Sequence, residues 1–216
     1  MKKFLFLLPL LAAALLFTAC GGATDTQQAP NVYRQINEKL ANLQNFRARA
    51  TVTYVSNHGS NTYETLQHAL ITGPYRVEVT GPERVAGNVT SFDGQHLFQL
   101  NTRVNGSVTL LARENRERSE MLLTAFIRNW QSAQESAVSA ASMEDGHFTI
   151  LEAAVPGNHP YLATQRVWID NRTLLPTRLV ILDPAGTERV IVSYEAFEYN
   201  VELDETIFTV SSHSVG

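Results

Sequence analysis

The sequence of 216 residues contains a single cysteine, and this scarcity excludes several classes of protein. A protein stapled by disulfides needs paired cysteines, and a zinc knuckle or a CxxC redox site needs at least two. The formal net charge of −4 at pH 7 also argues against a nucleic-acid-binding protein, because such proteins carry a basic surface. We therefore predict a chain with no disulfide, no zinc knuckle and no nucleic-acid partner.

The short motifs of common active sites are also missing. The sequence has no G-x-S-x-G, H-E-x-x-H, P-loop or G-x-G-x-x-G. Its six histidines are scattered without the spacing of helical metal ligands. Asp93, Asp145, Asp170 and Asp183 fall in turn sequences, where a carboxylate accepts backbone N–H bonds. We predict that the protein is not an enzyme and uses neither a metal nor a cofactor; a carboxylate pair brought together by folding is an alternative that the sequence leaves open.

The N-terminal segment determines the predicted location. Lys2 and Lys3 give it a positively charged start, and an apolar run of 14 residues follows from Phe4 to Phe17. A membrane-spanning helix needs about 20 residues, so this shorter run is typical of a secretory signal. The only cysteine, Cys20, comes directly after the run, between small residues.

Residues Phe17-Thr18-Ala19-Cys20 resemble the bacterial lipoprotein signal, although Phe17 stands where leucine is usual. The alternative is an ordinary signal peptide with an incidental cysteine. The resemblance implies that residues 1–19 are a lipoprotein signal peptide and that Cys20 is acylated. The chain would then be lipid-anchored on the extracytoplasmic face of a bacterial membrane. Residues 20–30 are small and polar, and we expect them to form a lipidated, flexible tether.

Cleavage before Cys20 would leave the chain more acidic. It would remove two of the 17 basic residues, Lys2 and Lys3, and none of the 21 acidic ones, which takes the formal net charge from −4 to −6. Lys39 would be the only remaining lysine. Electrostatic attraction to an anionic membrane would be weak, so membrane attachment is expected to depend on the acylated Cys20.

Residues 31–216 are predicted to form one domain. Apolar residues recur at helical spacing from Val32 to Leu43, with Asn31 as the candidate N-cap, and again in the strongly apolar segment Ser119–Gln134. Alternating runs separated by turn sequences such as Pro156-Gly157 predict antiparallel hairpins and an α+β fold. The predicted strands are Phe46–Tyr54, Tyr63–Ile71, Tyr75–Thr80, Gln95–Asn101, Ser107–Ala112, His147–Ala153, Ala163–Ile169, Thr177–Leu182, Glu188–Phe197 and Thr206–Val210.

Several segments resemble the LolA-like superfamily of lipoprotein carriers and sensors. Together with the lipid anchor, the segment Leu122–Val138 is most similar to the membrane-anchored, GerS-like germination lipoproteins of spore-forming bacteria. The resemblance implies a curved antiparallel β-sheet that forms an open half-barrel, with helices on its concave face. The segments that carry it are Gly73–Glu78, Ser91–Phe98, Val167–Asp170, Leu175–Thr177, Asp183–Gly186, Phe197–Asn200 and Asp204–Phe208.

One position departs from the soluble carriers of this superfamily. The carriers have a basic residue immediately before the proline at this strand start, where it helps to hold a helical lid shut. Here that position is Gly73, which has no side chain for this role. Shuttling by lid opening is therefore not expected, and a tethered protein would receive, hold or present a client locally.

Two functions follow as hypotheses. The first is a lipid-anchored lipoprotein whose half-barrel binds an apolar ligand or a lipoprotein acyl chain. The second is a non-enzymatic regulatory lipoprotein that acts through a protein partner or as a homodimer, for example in spore germination. The alternative for Phe126, Ile127 and Trp130 is that they are core residues without a ligand. The candidate ligand-binding residues are Val77, Val79, Phe98, Leu122, Phe126, Trp130, Val167 and Ile169.

Overall fold

One antiparallel sheet of eleven strands organises the part of the chain that the structure describes. The structure is a computed structural model that describes residues 25–101, 107–111, 119–133 and 136–209. Its helices are α1 (Asp25–Ala41) and α2 (Leu123–Ser132). The strands are β1 (Asn45–Ser56), β2 (Gly59–Leu70), β3 (Tyr75–Gly81), β4 (Val89–Phe92), β5 (Leu97–Asn101), β6 (Ser107–Leu111), β7 (Ser136–Met143), β8 (Gly146–His159), β9 (Leu162–Asp170), β10 (Pro176–Leu182) and β11 (Glu188–Tyr199).

The strand order divides the sheet into two halves. It runs β6-β5-β4-β3-β2-β1-β11-β10-β9-β8-β7, so each half is a meander of consecutive hairpins. We call β1–β6 the first half and β7–β11 the second half. They meet where β1 pairs with β11, for example Val52 opposite Val192. The predicted α+β fold with a curved, open antiparallel sheet is confirmed.

The concave face of the sheet carries the core. In β1 the side chains of Phe46, Ala48, Ala50 and Val52 are buried, whereas the alternate residues point to the convex face, as the period of two predicted. Ile36 and Leu40 of α1 are buried in the same core cluster. The ammonium group of Lys39 lies 4.7 Å from the ring centre of Tyr199, a concave-face residue of β11, so α1 packs on that face.

Several predicted boundaries are wrong. α1 begins at Asp25, so Asn31 is not its N-cap. α2 is shorter than the predicted Ser119–Gln134, with Leu122 in extended conformation as its N-cap. β8 continues through Pro156-Gly157 to His159, and a register shift against β9 replaces the predicted turn. The predicted strand at Thr206 is a short 3-10 helix, Glu205–Phe208, in which Asp204 accepts the backbone N–H of Thr206.

Two strands were not predicted, for different reasons. β4 has only four residues and ends at the Asp93-Gly94 turn, so it offers too little alternation to detect. β7 consists mainly of serine and alanine, which have low strand propensity. Its side chains are almost all exposed, so no buried face imposes a pattern on it.

The backbone conformation explains why position 73 is glycine, where the soluble carriers have a basic residue. Gly73 lies in the turn between β2 and β3 and adopts a φ of +132°, a conformation that residues with a side chain rarely take. The turn geometry therefore requires glycine at this position.

None of the helices in the described ranges is long and apolar enough to cross a membrane.

Candidate functional site

A pocket of about 450 Å³ lies on the concave face of the first half. The register places its wall in rows across neighbouring strands: Val77 of β3 stands opposite Thr90 of β4, and Thr90 stands opposite Gln99 of β5. Opposed residues of an antiparallel pair point to the same face, so these three side chains face the pocket together. The apolar part of the wall consists of Val52, Val77, Val79, Val85 and Met121.

Tyrosines and neutral polar residues complete the wall. Tyr54 and Tyr63 lie edge to face with ring centres 6.1 Å apart, and the ring centres of Tyr75 and Phe92 are 5.9 Å apart. The hydroxyl of Tyr54 donates a hydrogen bond to the sulfur of Met121 at 3.0 Å. The neutral polar residues of the wall are Asn61, Thr65, Asn88, Thr90 and Gln99. The pocket therefore offers both apolar contact and neutral hydrogen-bonding groups.

The concave face of the second half is packed solid beneath α2. Phe126 and Ile127 of α2 are fully buried, as are Leu151, Val167 and Leu179 of the strands. Phe126 also stacks on Trp130, with ring centres 6.1 Å apart. These side chains all belong to the hydrophobic core cluster or pack against it, and none of them lines the pocket of the first half.

A buried polar cluster connects the two regions. The amide nitrogen of Asn129 in α2 donates to the carboxylate of Glu120 at 3.0 Å and to the side-chain oxygen of Gln165 in β9 at 2.7 Å. The amide nitrogen of Gln165 donates to the backbone oxygen of Glu120 at 2.6 Å. Gln165 is fully buried. The cluster therefore fixes the segment before α2, and with it Met121, at the edge of the pocket.

The structure separates the eight candidate ligand-binding residues. Val77 and Val79 line the pocket. Leu122, Phe126, Val167 and Ile169 are buried in the core, and Trp130 packs partly buried against it. Phe98 lies on the convex face, opposite Ser91 and beside His96, because its neighbour Gln99 faces the pocket. Ligand binding by these residues stays a prediction, as does lipidation of Cys20, which lies outside the described residues.

Sequence reasoning missed most of the wall because two signals were weak. Phe98 was predicted to bind the ligand, but Gln99 faces the pocket. Deciding between the two requires the pairing of β5 with β4, a strand that the sequence did not reveal. Asn61 and Asn88 lie near turns, where asparagine is ordinarily explained by the turn itself. Tyr54 carried a usable signal, because it continues the alternation that places Phe46, Ala48, Ala50 and Val52 on the concave face.

The turn aspartates behave as predicted at three of the four positions. Asp93 accepts the N–H groups of Gln95 and His96, and Asp170 accepts those of Arg172 and Thr173. Hydrogen bonds from the backbone of Thr187, from Arg189 and from the backbone of Ala185 hold the pKa of Asp183 below its usual value. Within the described ranges, no three His, Cys, Asp or Glu side chains are grouped so that they could hold a metal ion.

The family model described as "Sporulation protein YdcC-like" matches residues 1–208. The chain belongs to this family. The sporulation protein YdcC of Bacillus subtilis (strain 168) is 22% identical over 209 residues, which cover 96% of this chain. The match covers 60% of the length of that relative.

Solved structures with a similar fold include a protein of the LolA superfamily. An uncharacterized conserved protein from Thermus thermophilus has a TM-score of 0.50 and 14% identity, with 87% of this chain and 97% of that chain covered. A LolA superfamily protein from Nitrosomonas europaea has a TM-score of 0.46 and 14% identity, with coverages of 84% and 97%. A chain in the structure of the Clostridioides difficile CwlD amidase with the GerS lipoprotein has a TM-score of 0.48 and 23% identity, with coverages of 79% and 95%. At these identities the similarity concerns the fold alone.

Proposed function

We propose that this YdcC-like chain is a lipid-anchored, extracytoplasmic lipoprotein that binds an apolar ligand, such as a lipoprotein acyl chain, in the pocket of its first half. The observation that carries the proposal is the pocket itself. Its volume of about 450 Å³ falls within the range of small-molecule sites, roughly 300–1,000 Å³. The valines of the wall would gain stabilisation by burying their apolar surface against such a ligand.

The location on the membrane rests on the N-terminal sequence. The short apolar run and the placement of Cys20 fit acylation, and two or three acyl chains hold a protein firmly at a membrane. Replacing Cys20 with serine in the producing bacterium should move the protein from the membrane fraction to the soluble or unprocessed fraction. Retention of a mature Cys20→Ser protein at the membrane would contradict lipid anchoring.

Ligand binding can be tested on the chain without residues 1–20. Mass spectrometry of organic extracts should find a co-purified apolar molecule, and a fluorescent fatty acid should bind. Val79→Trp should abolish both signals, because the indole would fill the pocket. Thr80→Trp is the matched control, since Thr80 is the next residue of β3 and is exposed. If the unaltered chain yields no ligand and binds no fluorescent fatty acid, this function is excluded.

The second candidate is a regulatory lipoprotein that acts through a protein partner or as a homodimer. The observation that favours it is β7, which among the described strands pairs with β8 alone and which leaves Val138 46% and Met143 49% exposed. Exposed edges can accept another strand. The relative from Bacillus subtilis is named a sporulation protein, so a sporulation or germination process is the proposed setting. Ala140→Pro should weaken such an association in sedimentation experiments, and a deletion strain that sporulates and germinates normally would count against the setting.

A further inference from the structure

Gln67 of β2 is a polar residue at the inner boundary of the pocket. It is fully buried and lies behind the pocket wall, to which two of its neighbours on the concave face, Thr65 and Val77, belong. Thr65 lies two residues away on the same strand, and Val77 is the cross-strand partner of Gln67 in β3. A buried glutamine beside a ligand pocket needs an explanation, because the surrounding positions of the core are apolar.

The hydrogen bonds around Thr65 determine which end of the Gln67 amide is the oxygen. The hydroxyl of Thr65 donates its only hydrogen to the backbone oxygen of Ala50 at 2.9 Å. Its oxygen can therefore only accept from Gln67, and the partner atom at 3.2 Å must be the amide nitrogen Nε2. The side-chain oxygen Oε1 is then the buried atom that finds no donor among the described residues.

Asn88 repeats this feature in the wall of the same pocket. Its side-chain oxygen Oδ1 is buried, and no described residue donates a hydrogen bond to it. Its backbone is held in place, since the N–H of Val79 donates to the backbone oxygen of Asn88 at 2.8 Å. Val79 in turn stands opposite Thr65 of β2. The two oxygens that find no donor among the described residues therefore lie close along the sheet: Asn88 lines the pocket, and Gln67 lies behind the wall residues Thr65 and Val77.

Unpaired buried carbonyl oxygens are rare in native proteins, because burial removes their bonds to water without replacing them. Five buried side-chain atoms of the described residues have no partner, and these two are the ones that lie in or directly behind the pocket wall, where a bound molecule would supply donors. We infer that the ligand is an amphipathic lipid with a neutral head group that donates hydrogen bonds through hydroxyl or amide N–H groups. Its head group would meet Gln67 and Asn88, and its chain would lie against the valines of the wall. This inference rests on the proposed lipid-binding function and specifies the class of lipid.

The test compares two photoreactive probes on the full chain in detergent micelles. One is a monoacylglycerol with a diazirine in its acyl chain, and the other is the methyl ester of the same acyl chain, which has no donor. Labelling of peptides from β2 and β3 is quantified by mass spectrometry. We expect the monoacylglycerol to label these peptides about threefold to tenfold more strongly, as one neutral hydrogen bond gives an affinity gain of that order.

Gln67→Met should reduce this preference towards equal labelling, because methionine keeps the volume and removes the acceptor. The Gln67→Met chain should also unfold at a higher temperature without ligand, since it no longer buries an unpaired oxygen. Asn88→Leu, on the other side of the wall, is a second variant and should have the same effect on the preference. Gln95→Met is the matched control, because Gln95 is an exposed amide in the turn between β4 and β5.

The outcomes separate this inference from the function on which it rests. Equal labelling by both probes in the unaltered chain overturns the inference and leaves apolar binding intact; it would indicate that water satisfies the two oxygens. A preference that survives both Gln67→Met and Asn88→Leu also overturns it. Labelling of β2 and β3 by neither probe overturns the proposed function as well.

Discussion

The two halves of the sheet fill their concave faces in different ways. Across the second half, one row of opposed residues is apolar and fully buried: Leu151, Val167, Leu179 and Val192. Across the first half, the row that contains Val77 carries the polar residues Gln67, Thr90 and Gln99. The apolar row packs beneath α2, whereas the mixed row borders a pocket. An apolar helix therefore covers one half, whereas the other half keeps a pocket that polar side chains border.

The largest predicted loss of stability comes from a cavity created in the second half. Phe126→Ala should lower the free energy of unfolding by about 3–5 kcal/mol, because the site is fully buried and its neighbours can collapse only partly. Denaturant unfolding measures this loss. Tyr63→Ala is the comparison in the pocket wall, where a partly exposed ring is removed and a smaller loss is expected. A loss below about 1 kcal/mol for Phe126→Ala would show that the second half is not solidly packed.

The next effect concerns the polar cluster between the halves. Asn129→Ala removes both hydrogen bonds of the Asn129 amide nitrogen, to Glu120 and to the buried oxygen of Gln165. Leaving buried acceptors unpaired should lower the unfolding free energy by about 1–3 kcal/mol. Ser132→Ala is the control, because the partners of its hydroxyl among the described residues are backbone oxygens within α2. Equal stability of the two variants would mean that the cluster does not hold α2 against β9.

The sequence predicted the second half, which is packed beneath α2, better than the first half, which contains the pocket, and the reason is physical. The runs that became β9, β10 and β11 are rich in valine, isoleucine and leucine, and the strongly apolar α2 needed a face to cover. The prediction of Leu122, Phe126, Trp130, Val167 and Ile169 therefore identified residues that pack in or against one core cluster, although none of them lines the pocket of the first half. Whether side chains leave a pocket between them depends on the register of short strands such as β4. Periodicity carries no such information, so most of the pocket wall was not predicted.

A fall in pH from 7 to 5 should affect the first half of the sheet more than the second. His68 lies on the convex face between Arg47 of β1 and Arg76 of β3. Burial and these two guanidinium groups lower its pKa below 6.5, against a smaller opposing effect of Glu78. Because the unfolded chain then binds the proton more tightly than the folded chain, the stability contribution is complete above about pH 6.5 and decreases as the pH falls below that value.

Hydrogen exchange at pH 7 and pH 5 can locate this effect. Amides of β2 and β3 should lose protection at pH 5, whereas those of β8 and β9 should not. His68→Gln should make the protection of β2 and β3 equal at the two pH values. His147→Gln serves as the control, because His147 is exposed on the second half and should not change the pattern. A loss of protection that persists in His68→Gln would assign the pH effect to another group.

The smallest predicted effect on stability comes from a substitution in the pocket wall, and it distinguishes a wall residue from a core residue. Val79 is only partly buried, so Val79→Ala should lower the unfolding free energy by about 1 kcal/mol or less. The same variant should weaken the binding of a fluorescent fatty acid, because it removes two methyl groups that would contact the chain. Thr80→Ala, on the exposed side of β3, should leave binding unchanged. A wall residue is thus recognised by a binding loss larger than its stability loss, whereas a core residue such as Phe126 shows the reverse. If Val79→Ala destabilises the chain as strongly as Phe126→Ala and has no effect on binding, the two halves do not differ, and the first half is packed core as well.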